Sequence, residues 1–125
     1  MKILVVDDET DVRDLFEQRF RREIRSGELN FSFAFSGEEA LRYLRAHQSE
    51  VLIILSDINM PGMSGLELLA HVKAEFEMPP TTMMMITAYG DEASHQQALR
   101  LGAQDFLTKP LDFAVLKDKL AHLQP

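Results

Sequence analysis

Acids, a hydroxyl and a lysine stand directly after short apolar runs in this 125-residue chain. Asp7 and Asp8 follow Ile3-Leu4-Val5-Val6, and Asp57 follows the run that ends at Leu55-Ser56. Thr87 follows Met83 to Ile86, and Thr108 and Lys109 follow Phe106-Leu107. Singly, each has a plain explanation. An Asp after a strand commonly caps the next helix, as Asp8 or Thr10 would here. A Thr there satisfies local backbone, and Lys-Pro marks a turn. Together they describe a different chemistry. Three carboxylates on one rim raise each other's pKa unless a cation compensates. An all-oxygen ligand set without His or Cys suits Mg²⁺, Mn²⁺ or Ca²⁺ over zinc. A cation and Lys109 neutralise phosphoryl oxygens, and the Thr87 hydroxyl donates to one. A carboxylate in that setting is also a nucleophile that forms an acyl phosphate.

Such a rim exists only if the elements bring it together. Ile3 to Val6 is a continuous apolar run, the mark of a strand buried on both faces. Val12, Leu15, Phe16, Phe20 and Ile24 then recur at helical spacing. Phe31 to Phe35 alternates large and small residues as a strand. Ser36-Gly37-Glu38-Glu39 forms a capping box ahead of a helix through Ala40, Leu41 and Leu44. Val51 to Leu55 is the third strand. Ser64-Gly65-Leu66-Glu67 is a second capping box, for a helix with Leu66, Leu69, Ala70 and Phe76 inward. Pro79-Pro80 blocks its continuation. Thr82 to Ile86 is the fourth strand, and its Met83, Met84 and Met85 alternate between two buried faces. Asp91 caps a helix through Ala98 and Leu101, which Gly102 stops. Phe106-Leu107 is the fifth strand. Asp112 caps a last helix carrying Leu116, Leu120 and Leu123. Strand and helix alternate five times, which implies a parallel sheet with helices on both faces. Ligands of such sheets bind at the carboxyl ends of the strands, where the acids stand.

Composition narrows the partners. The chain is 46% hydrophobic, enough for one core, and has no cysteine for a disulfide or thiolate site. Its formal net charge is −7, which argues against direct nucleic-acid binding and suits cations. Arg19, Arg21, Arg22 and Arg25 form a basic cluster whose simplest reading is a solvated helix face. Neither a signal peptide nor a membrane span is legible, so a soluble, cytoplasmic protein is expected.

The segment "SDINMPGMSG" also invites comparison with a calcium loop. Asp57, Asn59 and Gly62 fit that pattern. Pro61 and Leu68 fall where it wants an acid or amide and a Glu, and a strand leads in where a helix should.

Asp7-Asp8, Asp57 within "SDINMPGMSG", Thr87-Ala88 and "Phe106-Leu-Thr-Lys109-Pro110" together resemble the receiver domain of two-component response regulators, over essentially the whole chain. The resemblance implies a flavodoxin-like (βα)5 fold, a five-stranded parallel sheet of order 2-1-3-4-5. It implies that Asp57 takes a phosphoryl group from a histidine kinase or phosphotransfer protein. Asp8, Asp57 and the Asn59 carbonyl would bind Mg²⁺, with Mn²⁺ as substitute, and Asp7 would act through a metal-bound water. Lys109 would pair with Asp57 and then with the phosphoryl group. Thr87, beside Ala88, would move towards that group, and Phe106 would rotate into the space left. The Lys109-Pro110 bond would be cis. The fourth helix, fifth strand and fifth helix would form the surface that switches, meets an effector and supports a dimer. Asn59 and Tyr89 flank the water path to the acyl phosphate, and Tyr89 is expected to cover it and lengthen its life.

Two departures from the pattern stand out. Phe106 occupies a position where many such domains have Tyr, so it lacks a hydroxyl to hydrogen-bond outward. The region Arg21 to Asn30 is about one helical turn longer than usual. A phosphohydrolase with an aspartyl nucleophile would want an acid where Asn59 stands, plus a cap domain. A pseudo-receiver would lack an acid or the lysine. The expectation is one receiver domain over 1–125, standing alone or as the N-terminal part of a longer regulator, a phosphoacceptor and not an enzyme.

Overall fold

A computed structural model describes residues 1–47, 50, 53–76, 82–88 and 90–123. The expected start of the third strand at Val51, the Pro79-Pro80 stop and Tyr89 lie outside the described residues.

Five strands form one parallel sheet: β1 (Lys2–Val6), β2 (Asn30–Ala34), β3 (Ile53–Asp57), β4 (Thr82–Thr87) and β5 (Asp105–Thr108). Their order is β2-β1-β3-β4-β5, the expected flavodoxin-like arrangement. Registers such as Val5 opposite Leu55 and Asp57 opposite Ile86 bring the strand ends level.

Among the described residues six helices flank the sheet, one more than five alternations require: α1 (Val12–Arg19), α2 (Arg21–Ser26), α3 (Gly37–Ala46), α4 (Gly65–Glu75), α5 (Glu92–Arg100) and α6 (Phe113–Leu123). The single first helix expected from the sequence is broken at Phe20, which leaves helical geometry at φ −109°, ψ 23°. Phe20 is fully buried, so its anchoring in the core outweighs continuity of the helix. The face expected from the fourth and fifth helices is therefore built by α5, β5 and α6.

Caps explain most helix starts. Ser36 Oγ accepts from Glu39 N–H at 3.0 Å, and Ser64 Oγ from Glu67 N–H at 3.2 Å. Asp91 accepts from Ser94 N–H, and Asp112 from Ala114 N–H. Gly102 follows α5 at φ +99°, a conformation that glycine adopts without steric cost. At α1 the expectation fails. The residue before it is Asp11, with no side-chain cap, and neither Asp8 nor Thr10 takes that role.

The sheet divides the core into two. On one face Leu4, Val6, Ile54, Met83 and Met85 pack under α3, α4 and α5. On the other Ile3, Val5, Leu55 and Met84 pack under α1 and α6. The three methionines thus alternate as read. The second core is aromatic: Phe16 lies 5.3 Å from Phe113, 5.5 Å from Phe31 and 5.8 Å from Phe20, ring centroid to centroid. Leu15 and Leu123, expected inside, are exposed. In α4 the buried positions are Gly65, Leu68, Leu69 and Val72, and Ala70 is exposed. Among the described residues no helix is long and apolar enough to cross a membrane.

Candidate functional site

The last residues of β1, β3, β4 and β5 and the loops after them form one rim. Asp57 is the final residue of β3 and is 2% exposed. Burying a carboxylate there is tolerable only with partners. Lys109, just past β5, supplies one: its Nζ lies 2.6 Å from Asp57 Oδ2. The Asn59 N–H supplies the other, donating to Asp57 Oδ1 at 3.1 Å. Each Asp57 oxygen thus has its own donor.

Asp7 and Asp8 complete an acidic group. One carboxylate oxygen from each of Asp7, Asp8 and Asp57 lies within 4.8 Å of the others. Asp7 is buried and accepts from Glu9 N–H at 3.0 Å, and Asp8 is exposed. Burial pushes the Asp7 carboxyl above its ordinary value, and the Asp57 charge adds to this against the Glu9 N–H and Lys109. Burial alone would lower Lys109, but the hydrogen bond and charge of Asp57, with Asp7 and Glu9, hold it above its ordinary value. Among the described residues one lysine faces three carboxylates, which leaves an unbalanced negative site. Its donors are all oxygen, which fits Mg²⁺ or Mn²⁺.

Thr87 ends β4 and is 2% exposed, and its carbonyl accepts from Lys109 N–H at 2.8 Å. That bond ties the lysine's backbone to the strand next to Asp57. Ala88 is exposed, and its carbonyl accepts from Asp91 N–H at the start of α5. The Lys109-Pro110 bond is cis, as expected. Phe106 is half-buried on β5 and packs against the core under α3, α4 and α5. Asp7, Asp8 and Asp57 thus come together with Lys109 at the rim, and Thr87 ends the strand beside Asp57.

Two residues escaped the sequence reading. Gly65 opens α4, and its N–H donates to the Ile58 carbonyl at 2.8 Å. A Cβ there would collide with the Asp57 carbonyl oxygen. The glycine lets a helix pack directly on the backbone of the carboxylate-bearing residue; its only sequence signal is a glycine just inside a cap. His95 of α5 lies against Phe106, and no local pattern signals that contact.

The basic cluster lies elsewhere. Arg19, Arg21, Arg22 and Arg25 line an open groove of about 760 Å³ with Glu23 and Lys117. A second groove, about 480 Å³, borders the rim between α1 and the segment after β5, lined by Asp7, Val12, Leu15, Lys109 and Leu111 among others.

Comparison with known proteins gives a consistent outcome. The profile of the response regulator receiver domain matches residues 3–121. The chain is 38% identical over 120 residues to the response regulator protein PilR of Pseudomonas aeruginosa, covering 96% of this chain and 25% of that protein. It is 35% identical over 120 residues to a chemotaxis protein CheY homolog of Campylobacter jejuni, covering 96% of this chain and 89% of the relative. Among solved structures, a response regulator receiver domain protein from Clostridium thermocellum superposes with a TM-score of 0.84 at 25% identity, covering 97% of this chain and 91% of that one. The REC domain of AraT, a response regulator from Geobacillus stearothermophilus, gives 0.80 at 30% identity, covering 97% and 90%.

Proposed function

Because the chain belongs to the response regulator receiver domains of two-component signalling, we propose that it is a phosphorylation switch in which Asp57 is the phosphoacceptor. The observation that carries this reading is the buried Asp57 carboxylate, held by Lys109 Nζ and the Asn59 N–H beside Asp7 and Asp8. The donor is a phosphohistidine on a kinase or phosphotransfer protein. An Asp57 oxygen attacks phosphorus, an O–P bond forms, the N–P bond breaks, and the leaving imidazole nitrogen takes up a proton. The groove beside the rim, with Leu15 exposed on its wall, suits docking of the donor.

Asp8, Asp57 and the Asn59 carbonyl would hold Mg²⁺, or Mn²⁺ in its place, and Asp7 a water on it; when bound, the ion neutralises the acids and the phosphoryl oxygens. The chain's own groups do the rest. Lys109 exchanges its carboxylate partner for a phosphoryl oxygen. Thr87 turns its hydroxyl to another and vacates space. Phe106 fills that space, and α5, β5 and α6 change their surface. Leu99 on α5 and Val115 on α6 are exposed apolar residues on those elements, suited to an effector or a second copy. The chain accepts and later loses one phosphoryl group and turns over no other substrate. Asn59 and Tyr89 tune the loss by hydrolysis.

The test is incubation with acetyl phosphate and Mg²⁺, followed by intact mass measurement. A gain of one phosphoryl group, abolished by Asp57→Asn or by EDTA, is the expected result. Uptake that persists in Asp57→Asn overturns the reading.

A further inference from the structure

The His95 imidazole of α5 is packed on the Phe106 ring of β5, with centroids 3.4 Å apart and planes inclined by 44°. The His95 side chain is 18% exposed. Its Nε2 is buried and finds no hydrogen-bond partner among the described residues. Its Nδ1 faces Glu92 Oε2 at 3.7 Å, too far for a hydrogen bond. A phenyl ring offers an imidazole nitrogen no lone pair and no O–H, so Nε2 bears the desolvation cost of a buried, unpaired polar atom.

We propose that His95 is a positioning residue for the switch: it disfavours the arrangement in which Phe106 covers Nε2, and so biases Phe106 towards the arrangement it takes on phosphorylation. The proposal rests on the reading of Phe106 as the ring that moves when Thr87 reorients. As Phe106 leaves, Nε2 opens to water and its cost is relieved. A ligand shifts a two-state element only by its differential affinity for the two states. A resting state weakened in advance therefore needs less from the phosphoryl group, and a larger share of molecules is ready to react.

The experiment uses the 125-residue chain and two substitutions. His95→Leu removes the orphan nitrogen and keeps an apolar side chain; His95→Gln keeps a polar group at the end of the side chain. His95→Leu is expected to unfold at higher urea in EDTA and to take up phosphoryl from acetyl phosphate and Mg²⁺ about tenfold more slowly. His95→Gln is expected to stay within about twofold of the parent in both. A merely space-filling His95 gives no such opposition of stability and rate. Uptake by His95→Leu as fast as the parent overturns the proposal, as does a loss of stability. A double-mutant cycle with Phe106→Leu in urea reads the contact without phosphorylation. The gain from His95→Leu must vanish in the Phe106→Leu background, and a gain that persists there overturns the proposal. Should the parent chain take up no phosphoryl group, the phosphoacceptor reading fails, and the cycle still decides whether His95 acts through Phe106.

Discussion

Lys109 Nζ stands 2.6 Å from Asp57 Oδ2 across 52 residues of sequence, and the pair joins the end of β3 to the segment after β5. The Asp57 side chain is 2% exposed and that of Lys109 is 39% exposed, so the burial cost falls mainly on the carboxylate. Lys109→Met leaves that charge facing Asp7 and Asp8 without its cation. Urea unfolding in EDTA is expected to show a loss of about 1–3 kcal/mol, between the cost of breaking an exposed pair and that of breaking a fully buried one, because the lysine is partly solvated. Phosphoryl uptake is expected to fall with it. An unchanged unfolding midpoint would show that Asp7 and Asp8 impose no strain on Asp57.

Asp7 gives the apo protein a pH dependence of determined sign. Its carboxyl is raised above 3.8 by burial first, so the folded state holds the proton more tightly than the unfolded chain does. Stability in EDTA should therefore fall as pH rises from the ordinary carboxylate value through the raised one. Asp7→Asn should flatten that fall, because the amide oxygen still accepts from Glu9 N–H and carries no charge. Lys109 acts at the alkaline end. Its contribution is complete below 10.5 and is lost as pH climbs through its raised value. Thermal midpoints against pH, with and without Mg²⁺, check both arms. Mg²⁺ should stabilise the parent more than Asp7→Asn.

Two glycines separate steric from conformational cost. A Cβ at Gly65 meets the Asp57 carbonyl and the Ile58 Cα, both backbone atoms that cannot yield without moving the site. Gly65→Ala is expected to cost about 3 kcal/mol or more and to impair uptake. Gly27, at φ +81° after α2, has open space around a Cβ. Gly27→Ala is expected to cost only about 1 kcal/mol and to leave uptake intact. Equal losses in the two variants would refute the backbone-contact account.

The aromatic core under α1 and α6 holds the broken first helix in place. Phe16 is fully buried and touches the rings of Phe20, Phe31, Phe33 and Phe113. Phe16→Ala should cost about 3–5 kcal/mol, seen as a lower urea midpoint. Phe16→Leu, which keeps most of the volume, should cost clearly less.

The rim was legible because acids after apolar runs carry both the strand ends and the chemistry. Asp7, Asp8, Asp57, Thr87 and Lys109 needed only the parallel topology to converge. What was not legible depends on packing between elements distant in sequence. The 3.6-residue spacing through Phe20 and Ile24 reads as one helix, and only the aromatic core shows why it breaks. Leu15 keeps the same spacing yet is exposed, because the groove beside the rim leaves it uncovered. Asp8 and Thr10 look like caps, and Asp8 instead joins the acidic group. The His95–Phe106 contact pairs a helix with a strand whose register no local pattern reveals.

The arginine groove makes the molecule electrically lopsided. Four arginines, a lysine and one glutamate line it, on a chain whose formal net charge is −7. The negative excess is therefore concentrated over the remaining surface, including the acidic rim. Such a body carries a permanent dipole moment, and its long-range field turns it before any contact is made. An anionic surface meets it arginines first, and a cationic one meets it elsewhere.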